Sequence, residues 1–217
     1  MNTSTKTVLI SNGIFLSKET PEDIRRRLHE LHKAGLSKLS ISCHHHDEET
    51  NLRIMGINTQ TSKILKSAEA ELSEQPTIRL ICVLQKTGIA TVEDVESYIA
   101  FAKAHNVGEV CFKELYVSAT NESLYSGGKE NLYSLANQDS LEVVHSWAKK
   151  VGAEVVSELP WGSPIFEYEG MTVAAYTEPS VGWERSQGIA RSWNFMADNK
   201  VFASLEDEGS IIEKELN

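Results

Sequence analysis

Residues 39–51 read LSISCHHHDEETN: a cysteine, three consecutive histidines and a run of acids follow directly on a strand-like segment. Imidazole and thiolate are the common ligands of zinc, and a cysteine near a histidine is the raw material of a nucleophile and its base. The spacing limits both readings. Successive residues of extended chain point to opposite sides, so at most two of the histidines, His44 and His46, can face one metal, and the helical i, i+4 spacing that suits zinc is missing. A metal-dependent hydrolase or lyase would take His44 and His46 from here and acids such as Glu114 or Glu158 from other segments. Cys43 as a nucleophile would likewise need a base from elsewhere, because adjacent side chains diverge. The third reading is a polar loop over the mouth of a pocket.

The elements that would position this stretch form a repeated unit. Thr7–Ser11 is a short β-branched and apolar run closed by Ser11-Asn12-Gly13, a turn signal. Thr20-Pro21-Glu22-Asp23 then supplies an N-cap, a proline at the first helical position and acids in the first turn; Ile24, Leu28 and Leu31 share one face, and Gly35 ends the helix. The same order recurs from Thr91, with Val95, Ile99 and Ala102, and from Asp139, with Leu141, Val144 and Ala148 before Gly152. The intervening segments 39–43, 77–84, 108–115 and 153–159 are mostly apolar with little alternation, as strands buried on both faces are. Strands separated by helices, starting roughly every 30 to 45 residues, predict a parallel sheet of right-handed βαβ units. About five to six strands are too few for a closed eight-fold barrel. The fold class expected is therefore α/β, an incomplete parallel (β/α) barrel over residues 1–160. Beyond Pro160, segments 164–169 and 171–177 read as a hairpin turning at Gly170, and 191–205 as another turning at Asp198-Asn199. Residues 161–217 are thus expected to form an antiparallel hairpin appendage ending in a short acidic helix, EDEGSIIEKELN.

Composition narrows the function classes. The apolar content of 41% suits a folded globular chain, and 31 acids against 21 Lys and Arg give a net charge of −10 without any basic block, which argues against nucleic-acid binding. No window approaches about 18 apolar residues, and MNTSTKTVLISNG has no apolar signal core, so neither membrane insertion nor export is signalled and a cytoplasmic address is expected. Cys43, Cys82 and Cys111 are odd in number and far apart, which favours reduced thiols over disulfides or a zinc knuckle.

In parallel α/β folds ligands gather at the carboxyl ends of strands. Those ends carry Ser11-Asn12-Gly13, Ser42-Cys43-His44-His45-His46-Asp47, Gln85-Lys86-Thr87-Gly88, Glu114-Leu115-Tyr116 and Glu158-Leu159-Pro160-Trp161-Gly162. Hydroxyls, amides and a carboxylate suit ribose, a ligand carboxylate or an adenine edge better than a catalytic triad, so a small-molecule ligand is expected. In sequence order, LISNG at 9–13, GLSKLSISCHHHDEETN at 35–51 and TIRLICVLQKTGIATVEDVESYIAFAKAHNVGEVCFKELY at 77–116 resemble the middle and later strands of the partial (β/α)6 barrel of radical S-adenosylmethionine enzymes, most nearly the MoaA-like branch. The likeness covers about residues 7–160, and each motif alone is loose.

The resemblance implies S-adenosylmethionine as cofactor and assigns its pocket by position. Ser11 and Asn12 match a third-strand hydroxyl site that approaches the cofactor, and Ser42 matches the fourth-strand serine that meets its ribose or carboxylate. Arg79 matches a basic residue inside the fifth strand, able to fork onto a carboxylate. Tyr116 falls near adenine, and Asn51 and Glu114 border the substrate. Each position also has a structural reading: a turn at Ser11-Asn12-Gly13, a capping or paired charge at Arg79 and Glu114, and loop packing for Tyr116. The family's CxxxCxxC loop is absent, and three thiolates are needed to hold its 4Fe–4S cluster. The resemblance therefore implies that the chain begins after the cluster loop, and that a partner polypeptide supplies the cluster and the first strands, or that the chain acts as a non-catalytic subunit or homodimer. An unpaired first strand would favour such a partner.

Overall fold

The structure is a computed structural model that describes residues 6–69, 75–118, 123, 125–190 and 192–212. In chain order the elements are β1 (Thr7–Ser11), α1 (Ile14–Ser17), α2 (Pro21–Lys33), β2 (Leu36–Ser42), α3 (Glu48–Met55), α4 (Thr61–Ala68), β3 (Thr77–Leu84), α5 (Val92–Ala104) and β4 (Glu109–Glu114), followed by α6 (Lys129–Asn137), α7 (Glu142–Val151), β5 (Glu154–Glu158), β6 (Pro164–Tyr168), β7 (Met171–Tyr176), α8 (Val181–Gln187), β8 (Asn194–Phe195) and β9 (Val201–Phe202). They divide into two compact units, residues 1–114 with 139–176, and residues 115–138 with 177–217.

The first unit is built on a seven-stranded sheet in the order β1-β2-β3-β4-β7-β6-β5. Strands β1 to β4 and β7 pair in parallel, while β6 runs antiparallel between β7 and β5. The mixed α/β class expected from the sequence is what forms. Its helices start where the capping signals place them: the Thr20 side chain accepts the Asp23 N–H, and Thr91 with Asp94 closes a full capping box. Helix α7 begins differently, because the N–H of Leu141 is taken by the Glu114 carboxylate, 3.1 Å away, rather than by Asp139.

Two of the strand expectations are corrected. The 164–177 hairpin is not an appendage; as β6 and β7 it is inserted into the main sheet, and it displaces β5 from β4 to the far edge. Strand β7 explains why: Met171, Val173 and Ala175 alternate onto one face and are almost wholly buried, so they extend the apolar surface of β4 as no polar-backed hairpin could. The second hairpin, β8 with β9, does form a separate two-stranded sheet and turns at Asn199, whose φ is +65°. Arg191 and the last five residues of the expected acidic helix, 213–217, lie outside the described residues. Its described part makes a single 3-10 turn, Glu208–Ser210.

The sheet sorts its side chains by register. Leu39, Ile41, Leu80, Cys82, Leu84, Val110, Phe112, Val173 and Ala175 belong to one core cluster with Leu28, Ile64, Ile99 and Trp147 from α2, α4, α5 and α7. Ile81 and Cys111, paired across β3 and β4 one residue out of phase with that set, stand outside the cluster. Period-two alternation places Lys38, Ser40 and Ser42 of β2, Arg79 and Val83 of β3, Glu109 and Lys113 of β4, and Thr172 and Tyr176 of β7 on that same second face. Parallel sheets ordinarily bury both faces in apolar residues. Here the second face mixes polar with apolar residues and is mostly half-buried.

In the second unit Glu206 organises the packing. Its carboxylate accepts the Ser118 and Ser123 hydroxyls at 3.2 and 2.6 Å, and Arg185 pairs with Asp207 at 2.7 Å.

Candidate functional site

Strand β2 delivers the histidine segment, and the segment is pinned rather than loose. Asn51 is buried, accepts the His44 N–H at 2.8 Å and donates to Thr59 at 3.1 Å, so both ends of its amide hold the loop. The His44 ring continues the β2–β3 ladder: its Nδ1 accepts the Val83 N–H at 3.1 Å, which fixes the proton on Nε2. Burial pushes the His44 pKa down to about 4, and burial followed by the neighbouring His46 lowers that of His45. His45 stacks on His46 with ring centroids 4.3 Å apart and accepts the Asp47 N–H at 3.0 Å. The His46 Nδ1 is buried without a hydrogen-bond partner. Among the described residues no three His, Cys, Asp or Glu side chains come together in a way that could hold a metal ion. Among the described residues the hydrolase reading of His44 and His46 finds no third ligand.

The thiols do not fit an iron–sulfur cluster. Cys43 and Cys82 belong to the core cluster while Cys111 lies on the opposite face, so the sheet itself separates Cys111 from the other two. Burial pushes Cys43 up to about 11 and raises Cys82 as well, the direction of neutral thiols rather than thiolate ligands. Cys43 instead donates to the His45 carbonyl, and the Tyr98 hydroxyl donates to the Cys43 carbonyl at 2.7 Å.

The other residues singled out by the sequence fall into two groups. Ser11 and Asn12 serve a local turn, accepting the N–H groups of Gly13 and Ile14 at 3.1 Å each. Gly13 at φ +77° makes this turn possible, and Glu114 caps α7 as described. Tyr116 belongs to the second unit, where burial and then a hydrogen bond to Glu206 raise its pKa and its ring meets Tyr125 edge-on. Ser42 and Arg79 remain open to a ligand. They lie on the polar face of neighbouring strands, Ser42 opposite Ile81 and Arg79 opposite Ser40. Among the described residues the half-buried Ser42 hydroxyl has no protein partner. Arg79 spends its Nε on Ser40 at 3.0 Å, and among the described residues no acid pairs with its terminal nitrogens. A guanidinium in that state presents the fork that binds a carboxylate in two parallel hydrogen bonds.

The same face holds residues the sequence did not nominate. Lys38 pairs with Glu109 across β3, and the Lys113 ammonium sits 4.4 Å from the centre of the Tyr176 ring, which meets Trp161 edge-on. Lys113 was legible as an alternating strand position, but Tyr176 could join it only once β7 was known to pair with β4.

No protein-family model matches the sequence, and no curated protein matches it. Among solved structures the chain is similar to Streptococcus suis SuiB at 16% identity, with a TM-score of 0.44 over 89% of this chain and 38% of that one. It spans well under half the length of that protein. No helix among the described residues is long and apolar enough to cross a membrane.

Proposed function

We propose that this chain is a wall of a radical S-adenosylmethionine-like barrel that binds a carboxylate-bearing small molecule, S-adenosylmethionine in the first place, on its polar sheet face. It has no cluster site of its own and works with a partner polypeptide that supplies one, or as a non-catalytic subunit. The observation that carries this reading is Arg79: among the described residues its half-buried guanidinium has no acid to neutralise it and both terminal nitrogens are unpaired, on the same sheet face as the Ser42 hydroxyl. Arg79 would fork onto the ligand carboxylate while Ser42 donates to a ribose hydroxyl or the second carboxylate oxygen. His44, neutral at physiological pH, would present only an Nε2–H donor and would move no proton.

Two features of the sheet support the barrel-wall reading. Strands β1 to β4 are in sequential order, and the crossover helices α2, α4 and α5 share one core cluster, as a singly wound wall with right-handed crossovers requires. The edge strand β1 is uncharged and exposes Val8, Leu9 and Ile10, whereas the opposite edge, β5, is guarded by Glu154 and Glu158. An unguarded apolar edge is an invitation to pair with another strand. Reconstitution of the purified chain with iron and sulfide tests the missing cluster site: substoichiometric iron without cluster absorbance is expected, and a stoichiometric cluster on the chain alone overturns the proposal.

A further inference from the structure

A second site lies on the helical side of the first unit. A cleft of about 420 Å³ opens between the first turn of α2, the start of α3 and one side of α4. Three cations line it, Arg25, Lys63 and Lys66, against one acid, Glu48, in a chain whose net charge is −10. Among the described residues, pairing does not neutralise that local reversal of sign. Lys66 makes no ion pair among the described residues. Among the described residues Lys63 donates only to the neutral Ser17 carbonyl, at 2.9 Å, which leaves two of its three N–H groups. Arg25 reaches Glu22 through a single bond of 3.2 Å, and that glutamate is 75% exposed, so water screens the pair.

The acid at the rim is itself committed. One oxygen of Glu48 accepts the Ser62 N–H at 3.1 Å, so Glu48 stands in for the missing side-chain cap of α4, whose N-cap residue, Gln60, provides none. The Ser62 hydroxyl also faces the cleft and has no protein partner among the described residues, while the buried Ser67 hydroxyl donates to the Lys63 carbonyl and retains its acceptor capacity. The lining thus offers a planar fork, two ammonium groups and a hydroxyl donor, with a surplus of two positive charges.

We propose that this cleft binds a small molecule through its phosphoryl group. A carboxylate would leave one charge of the surplus unmatched, whereas a dianionic phosphoryl group matches both, and three oxygens can meet Arg25, Lys63 and Lys66 together. The cleft is in the size range of small-molecule sites and larger than orthophosphate needs, so the phosphoryl group belongs to a larger metabolite whose body lies over Pro21. This site is independent of Arg79, which belongs to the other face of the sheet.

Calorimetric titration of the intact chain with inorganic pyrophosphate tests the assignment. Wild-type protein is expected to bind, with affinity falling as salt rises. Lys66→Glu, an exposed helix position where folding is not at risk, is expected to weaken binding about tenfold or more, and Glu48→Gln, which keeps an oxygen for the Ser62 N–H while removing the only acid, to tighten it about threefold or more. Arg79→Ala is expected to leave it unchanged. Absence of binding by the wild type, binding that survives Lys66→Glu, or binding abolished by Arg79→Ala overturns the proposal.

Discussion

The two faces of the large sheet are made of alternate residues of the same strands, yet they follow different rules. On one, Leu80, Phe112 and Val173 are wholly buried beneath four helices, within one apolar cluster. On the other, one residue away, stand Arg79, Lys113 and Thr172, with Ser40 and Ser42 beside them. A strand cannot tune its two faces through its backbone, which is common to both; it tunes them through the identity of odd and even positions. The difference teaches where stability resides: the core face holds the fold together, and the polar face is the one to which the proposed function assigns the ligand.

The sharpest way to break this comparison is to truncate neighbours. Phe112→Ala removes a fully buried ring and is expected to cost about 3 to 5 kcal/mol in denaturant unfolding, whereas Lys113→Ala truncates a half-buried side chain outside the core cluster, its cation–π contact included, and is expected to cost about 1 kcal/mol or less. Comparable losses at the two positions would contradict the division. Tyr98→Phe falls between them. It leaves the Cys43 carbonyl without its 2.7 Å donor in a buried site, for an expected cost of about 1 to 2 kcal/mol, with the fold unchanged by circular dichroism.

A pH titration of stability supplies a finer test. The pKa of His44 falls from the ordinary 6.5 to about 4 on folding, so the unfolded chain binds the extra proton between those values and stability rises with pH across that window. His45, shifted in the same direction, adds to the slope. Stability is therefore expected to be lost as pH falls from about 6.5 to about 4, before the depressed carboxylates Asp23, Asp47 and Asp94 contribute their own losses at lower pH. His44→Gln should flatten the slope between pH 4 and 6.5; an unchanged slope would show that the ring is not the neutral acceptor for Val83.

Much of this molecule is written locally. The bounds of β1 and β3, the caps at Thr20 and Thr91 and the turn at Asn199 each depend on a few adjacent residues, and the sequence predicts all of them. The insertion of β6 and β7 between β4 and β5 depends on which strand finds the better apolar face, a competition between segments about 60 residues apart that no local signal decides. Helices α3 and α4 were hidden in what reads as a polar loop. Asp47 with two following acids was a usable start signal for α3, but α4 begins at Gln60 with φ +46°, a conformation its residue type does not announce. Asn51 shows how this matters at the site: nominated as a ligand neighbour, it is the buried bracket that holds the histidine segment. Arg79 and Ser42 were nominated through the family resemblance, and the β2–β3 register is what places them on one face.

The central claim is that this polar face binds a carboxylate-bearing cofactor through Arg79. Calorimetric titration of S-adenosylmethionine into wild-type and Arg79→Ala protein measures it most directly. The account predicts binding by the wild type that weakens about tenfold or more in the variant, with an unfolding free energy within about 1 kcal/mol of wild type, as expected for a half-buried side chain outside the core cluster. Equal affinities in the two proteins, or no binding by the wild type, would contradict it.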